Sequence, residues 1–501
     1  MLRRTHFPLK YAVPHNKTLQ DPVAKAVLDH CTPVVYSSLA NGFRVATEYT
    51  KGCPFSTVGV WIDAGSRFET LENSGVAHFL EHMNFKGTNK YSKMDVENLF
   101  EHRGAHFNAY TSRDRTAYYV KAFNKDVSKM MDVVSDLLKN GRYTKRDIEL
   151  ERPTILQEMM EVEELVDEVL MDNLHQAAYD PASSGLPLTI LGPTDNIAKH
   201  INREMIVDYV KTHYTGPRMC LVTSGGISPE EAHRIAEEYF GDLPAVNNCP
   251  ASARRAQYRG GHTVMWDENM ATANTAVAFG ICGASHPDSY ALQLVHNVLG
   301  QVREGQMQLY GHQRRNINLP WERVPNLVQL RPFYTPYEET ALLGYQIVTA
   351  RMSPVNRRDE PGFVRDEAQT ILLNYILSSF YDLCSTLVEP DLLEQAKCEY
   401  KSSVMMMRDS TTNSAEDLGR QMIHFGRRVP LQEVFEHVDA VTPHSFRETV
   451  EKYVATQQPT VSCIGASSTL PRYDPLMLNS LRVHPQLKVN AIPENPREAK
   501  L

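Results

Sequence analysis

Two imidazoles and a carboxylate stand close together in the run SGVAHFLEHMNFKGT, residues 74–88. Val76, Ala77, Phe79, Leu80 and Met83 give the apolar side of a helix there, and Asn73-Ser74-Gly75 supplies small polar residues suited to its N-cap. On such a helix His78 and His82 sit one turn apart and project from one face, a spacing that can chelate a single ion. Glu81 lies beside His82, close enough to reach a water held by that ion. The order H-x-x-E-H is that of an inverted metallohydrolase motif, in which the histidines bind metal and the glutamate acts as base. A solvated polar face would carry the same residues, and two histidines are an incomplete site. A catalytic zinc takes three protein ligands and keeps a position open for water, so a third donor must come from elsewhere.

The stretch ERPTILQEMMEVEELVDEVLMDNLH (151–175) is the candidate source. Pro153 fits the first turn of a helix, and no breaker follows until Pro181. Glu151, Glu158, Glu161, Leu165, Glu168 and Asp172 recur at helical spacing, so one stripe is almost wholly acidic. Residues 147–172 hold ten acids and one base, Arg152, leaving few i,i+4 partners to relieve repulsion. A solvated acidic face is one explanation. A cation lying along the stripe is the other.

Here the chain resembles the inverted-motif zinc metallopeptidases, relatives of pitrilysin and insulin-degrading enzyme, and among them the mitochondrial processing peptidases. The likeness rests on GSRFETLENSGVAHFLEHMNFKGT (65–88), GAHFNAYTSRDRTAYYVKAF (104–123), ILQEMMEVEE (155–164), LTILGPTDNI (188–197) and HYTGPRM (213–219). It implies a zinc ion on His78, His82 and Glu158, with Glu81 as catalytic base and Glu151 as a catalytic helper orienting the ligands. It further implies removal of basic N-terminal presequences from imported precursors in the mitochondrial matrix, by a heterodimer with an alpha-like subunit. The chain lacks that subunit's long glycine-rich loop, which puts it on the beta side.

Residues 104–123 alternate through β-favouring types around a polar SRDR turn and read as a hairpin, which an ordinary internal hairpin would also satisfy. The resemblance makes Asn108, Ala109 and Tyr110 an exposed strand that takes the substrate as an added strand. Phe85 would contact the residue just after the cut, although a core phenylalanine fits equally. Glu168 and Asp172 match an acidic pair that holds an arginine shortly before the cut, since two carboxylates can clamp a guanidinium. On a straight continuation of the helix they would lie roughly 15 and 21 Å beyond Glu158.

The strand TVGVWIDAGS (57–66) with the helix after it is echoed by NTAVAFGICGAS (274–285) and SYALQLVHNVL (289–299), and the closing strands RMCLVTSGG (218–226) and TVSCIGASS (460–468) match each other. The expected fold is α+β: two similar halves, each an antiparallel-rich sheet packed with helices, enclosing a chamber. The expected division is a targeting segment and arm (1–35), a catalytic domain (36–245), a linker (246–261), a repeat domain (262–470) and a tail (471–501). In the second half Leu292 replaces His78 and Val295 replaces Glu81, with His296 alone opposite His82, so that half is a closing wall. Asn84 stands where the resemblance leads one to expect alanine, and residues 301–330 and the tail match poorly.

Composition fits a multidomain chain with sizeable cores, 501 residues long and 42% hydrophobic. No apolar run approaches the ~18 residues of a spanning helix, so no membrane insertion is expected. A net charge of −8 argues against nucleic acid and suits basic peptides. The eight cysteines form no C-x-x-C pair and read as reduced thiols. Arg3, Arg4, Lys10 and Lys17, with no acid in the first twenty residues, suit a mitochondrial targeting segment or a plain basic tail, and Pro8 and Pro14 limit any helix. A second reading is a core subunit of the respiratory ubiquinol–cytochrome c reductase, which shares the fold. Such subunits include scaffolds that lose metal ligands, and this chain keeps both histidines and both glutamates.

Overall fold

A computed structural model describes residues 32–249, 256–303, 323–351 and 367–471. The expected targeting segment, the middle of the linker, most of 301–330 and nearly all of the tail lie outside the described residues.

The first half carries β1 (Val34–Ser38), β2 (Arg44–Tyr49), β3 (Phe55–Ile62), β4 (His106–Thr111), β5 (Thr116–Phe123) and β6 (Met219–Gly225). Its helices are α1 (Val76–Asn84), α2 (Lys93–Glu101), α3 (Asn124–Asn140), α4 (Lys145–Glu163), α5 (Val166–Ala178), α6 (Arg203–His213) and α7 (Pro229–Phe240). The second half carries β7 (Gly261–Trp266), β8 (Thr272–Cys282), β9 (Val302–Arg303), β10 (Leu327–Pro336), β11 (Thr340–Ala350) and β12 (Thr460–Gly465). Around them lie α8 (Asp288–Leu299), α9 (Ala368–Ser385), α10 (Pro390–Met406), α11 (Thr411–Phe425), α12 (Leu431–Asp439) and α13 (Pro443–Val454).

The strand orders are β1-β2-β6-β3-β5-β4 and β7-β12-β8-β11-β10-β9. In both sheets the closing strand runs parallel to one neighbour, β2 with β6 and β7 with β12, and antiparallel to the other. The expected repeat of two α+β halves is therefore the observed architecture. β3 and β8 are buried almost end to end because helices cover both faces of each sheet.

The covering helices are exchanged. On one face of the first sheet, Val58, Val60 and Ile62 pack with α1 and α3 through Phe79, Leu80, Met130 and Val134. The other face, with Ala46, Trp61, Ala117 and Val222, is covered by Ala415, Leu418 and Met422 of α11, a helix from the second half. Reciprocally, Leu170, Leu174 and Ala178 of α5 pack on Ala276, Ala278, Leu342 and Ile464 of the second sheet. Each such leucine removes enough apolar surface from water to contribute about 1.5–3 kcal/mol.

Two expectations for residues 151–175 are corrected. The helix begins at Lys145, capped by Thr144, whose hydroxyl accepts from the Asp147 amide at 3.1 Å. Pro153 therefore lies inside α4, not in its first turn. Nor is the helix continuous: α4 ends at Glu163 and α5 starts at Val166, with Leu165 extended between them. Glu161, Glu163 and Glu164 crowd the C-terminal end of α4, where carboxylates oppose the helix dipole. The straight-helix distances to Glu168 and Asp172 therefore do not apply.

Gly419 of α11 sits on the indole of Trp61, where an added Cβ would come within 2.3 Å of ring atoms. Alanine is the better helix former, yet Gly419→Ala should lower stability by about 1–3 kcal/mol through overpacking. Thermal denaturation checks this, and an unchanged or raised Tm would show that α11 does not depend on this contact.

Candidate metal centre

α1 is anchored by a carboxylate that local sequence does not advertise. Gly75, within the expected 73–75, is its N-cap, in the left-handed region at φ 96° and without a side-chain capping bond. Glu69, wholly buried, instead accepts from the amides of Gly75 and Ala77, each at 2.8 Å. Burial pushes Glu69 up to about 8 against the pull of these amides. The motif at 188–197 closes over the same end: Asn196 Nδ2 donates to Leu71 O at 3.1 Å and Ser74 O at 3.2 Å. A Cβ on Gly192 would strike Gly75, which is why the two segments meet through glycines.

Asn84, the departure noted above, is fully buried at the far end of α1. Its Nδ2 donates to Tyr118 Oη at 2.8 Å and its Oδ1 accepts from Tyr143 Oη at 2.9 Å. An alanine there would leave both hydroxyls without this partner.

Between these anchors α1 presents its imidazoles to α4. His82 Nε2 lies 3.0 Å from Glu158 Oε2 and His78 Nε2 3.5 Å from Glu158 Oε1. One donor atom from each of the three falls within 4.8 Å of the others, the only such His/Cys/Asp/Glu group among the described residues. Two imidazole nitrogens and one carboxylate oxygen are the donor set a catalytic zinc takes, so the residues fit the ion. Glu151 is buried behind them. It faces His82 Nδ1 at 2.9 Å and pairs with Lys86 through its other oxygen. Accepting the Nδ1 proton would fix the tautomer that leaves Nε2 as the metal-binding nitrogen. Glu81 accepts from Thr111 Oγ1 at 2.6 Å, so strand β4 orients it.

The electrostatics agree. Hydrogen bonds from His78 and His82 hold Glu158 well below the usual carboxylate range. Burial disfavours charge on His82, but Glu158 and Glu151 outweigh it and raise the imidazole. Burial likewise opposes the charge on Glu151, and Lys86 and His82 prevail to lower it.

Of the other expected site residues, Asn108, Ala109 and Tyr110 lie on β4, an edge strand paired only with β5 among the described residues. Tyr110 is not free, because its hydroxyl donates to Glu416 of α11 at 2.6 Å. Phe85 is half-buried, 5.2 Å from the Phe107 ring. Glu168 and Asp172 share a face of α5, and Asp172 is paired with Arg113. Lys86, Thr111, Glu69 and Arg113 escaped the sequence reading. Lys86 had a signal, lying four residues after His82. In the second half Leu292 and Val295 are core residues, and burial pushes His296 down to about 3.

Family models match on both halves: insulinase, peptidase family M16, over residues 44–193, and the M16 inactive domain over 200–314. The chain is 41% identical to core protein I of the ubiquinol–cytochrome-c reductase complex of Euglena gracilis, over 84% of this chain and 85% of that protein. The chain belongs to the M16 peptidase family. Within it, the mitochondrial-processing peptidase beta subunit of Bos taurus is 37% identical, over 89% of this chain and 87% of that one. A chain of complex III2 from Candida albicans shares the M16 fold with a TM-score of 0.76 at 17% identity, over 89% of this chain and 100% of that one.

The pH behaviour of the metal-free site follows from the two shifts. Glu158, depressed below its ordinary 4.5, contributes stability above that value, lost as pH falls through its folded pKa. His82, raised above 6.5, contributes stability below that value, lost as pH rises through its folded pKa. In chelator-treated protein this contribution should peak between about pH 4.5 and 6.5. Added zinc, which competes with the His82 proton, should raise Tm more at about pH 8 than at about pH 6. Calorimetry with and without zinc checks both, and a zinc effect independent of pH would remove His82 from the ligands.

Proposed function

We infer that this chain is a zinc metalloendopeptidase of the processing-peptidase type, which removes N-terminal presequences from precursors imported into the mitochondrial matrix. The observation that carries this reading is the convergence of His78, His82 and Glu158, with Glu81 next to His82 on the same helix. Zinc held by those three residues would supply Lewis acidity toward the scissile carbonyl and lower the pKa of water. Glu81, oriented by Thr111, is placed to take a proton from an attacking water and would pass it to the leaving amine. Glu151 keeps His82 in its binding tautomer, and Lys86 compensates the charge of Glu151.

The substrate lies along the outer edge of β4 at Asn108, Ala109 and Tyr110, where the backbone groups facing away from β5 accept an extended peptide. Phe85 meets the side chain after the cut, and Glu168 with Asp172 forms the acidic subsite for an arginine before it. An alpha-like subunit completes the enzyme and helps collect basic peptides.

A second reading is a core subunit of the respiratory reductase, as scaffold or with both roles, favoured by the 41% identity to the Euglena core protein I. Zinc content measured on the natively purified protein, together with whichever subunits co-elute, separates the two.

With an alpha-like subunit the protein should hold about one zinc per chain and lose presequence cleavage to chelators. Glu158→Gln should lower zinc occupancy. Glu81→Gln should retain zinc and lose at least about a hundredfold in kcat. Full turnover by Glu81→Gln would end the mechanism.

A further inference from the structure

Among the described residues, the ladder with β5 fixes the edge strand β4 on one side only. Its place above α1 then depends on what its two faces touch, and successive side chains of a strand go to opposite faces. Phe107 and Ala109 pack with the core around α1, and Thr111, on that same face, donates to Glu81 at 2.6 Å. Tyr110 goes the other way, into the cluster of Trp61 and α11. There its hydroxyl donates to Glu416 Oε1 at 2.6 Å, while Glu416 Oε2 accepts from Trp61 Nε1 at 3.1 Å. One carboxylate of the second half thus joins β4 to β3 across the intervening β5. Burial pushes the Tyr110 phenol up and Glu416 adds to the rise, against Arg115, so the hydroxyl keeps the proton it donates.

Other groups share in holding this hairpin. Arg115 donates from Nε to Tyr110 Oη at 3.1 Å and stands 3.8 Å from Glu416 through Nη2, but it belongs to the same hairpin and moves with it. Arg113 on Asp172 and Asp114 on His424 fix the turn beyond the strand. Glu416 holds the strand itself, at the residue next to the partner of Glu81. We propose that Glu416 is a positioning residue for Glu81: through Tyr110 it sets the height of β4 over α1, and so where the Thr111 hydroxyl meets the catalytic carboxylate. This rests on the reading of Glu81 as general base and gives the second half a part in it. A catalytic group misplaced by about an ångström loses much of its rate, so the cost of breaking the contact falls on kcat.

The test uses the full-length chain with an alpha-like subunit and one presequence peptide. Glu416→Ala should lower kcat about tenfold, with KM within about threefold and zinc content unchanged. The Glu416 side chain is 36% exposed, so water can replace it on Trp61 Nε1 and the variant leaves no stranded donor. In a Thr111→Val background, itself slowed about tenfold or more, Glu416→Ala should cost less than about twofold further, because the route to Glu81 is already cut. In metal-free protein, hydrogen exchange over residues 106–111 should quicken about tenfold in Glu416→Ala while residues 76–84 keep their protection. Tyr110→Phe severs the same contact from the other end and should repeat this pattern, which gives the answer where Glu416→Ala does not fold. Unchanged kcat, a full tenfold loss repeated in the Thr111→Val background, full kcat in Thr111→Val alone or unchanged exchange over 106–111 would each overturn the role. Full turnover by Glu81→Gln would instead remove the reading beneath it.

Discussion

Bringing the Glu158 carboxylate to 3.0 Å from His82 is the constraint to which the first half is built. The two residues are far apart in sequence and lie on helices that share no turn, so their approach depends on how α1 and α4 cross. A displacement of one ångström would leave an imidazole pair without its third donor. α1 is accordingly fixed at both ends by buried polar groups, Glu69 at its start and Asn84 at its finish. Lys86 and Glu151 join α1 to α4 beside the imidazoles themselves. Arg152 fixes α4 in turn, with its guanidinium on the carbonyls of Ile197 and Ile201. These contacts are costly to bury and expensive to break, which favours one geometry over many.

The same logic extends across the halves. The β4–β5 turn carries Arg113, Asp114 and Arg115, and the first two are buried. Asp114 meets His424 of α11 at 2.7 Å, while Arg113 meets α5. Strand β4, which orients Glu81, is thereby tied to a helix of the second half through Tyr110 and Glu416. Among the described residues the second half holds no counterpart of the histidine–glutamate cluster, yet it touches the strand that orients Glu81.

Much of this was legible in the sequence. Periodicity and the H-x-x-E-H spacing gave α1 and the strands around it, and the repeated strand–helix pattern gave two alike halves. The third donor needed the resemblance, because an acidic stripe alone does not distinguish Glu158 from Glu161. What sequence could not show was packing between distant segments. Pro153 reads as a helix start by its usual preference, whereas the Thr144 cap and tertiary contacts carry the helix through it. The break after Glu163 has no glycine or proline to mark it, only crowded carboxylates. S-R-D-R looks like a solvated turn, and its burial depends on α5 and α11, helices from opposite ends of the chain.

The exchange of α5 and α11 bears on how the chain comes into being. A growing polypeptide that has completed β6 has every strand of its first sheet, but one face, with Trp61, Ala117 and Val222, waits uncovered until residues 411–425 emerge. Nearly two hundred residues are made in that interval. Domains otherwise tend to fold as units, N-terminal first, and exposed apolar surface at this stage invites association with other chains. The natural order of maturation is then a late, joint closure of both sheets, and a chaperone that shelters the Trp61 face until α11 arrives would meet a need the fold itself creates.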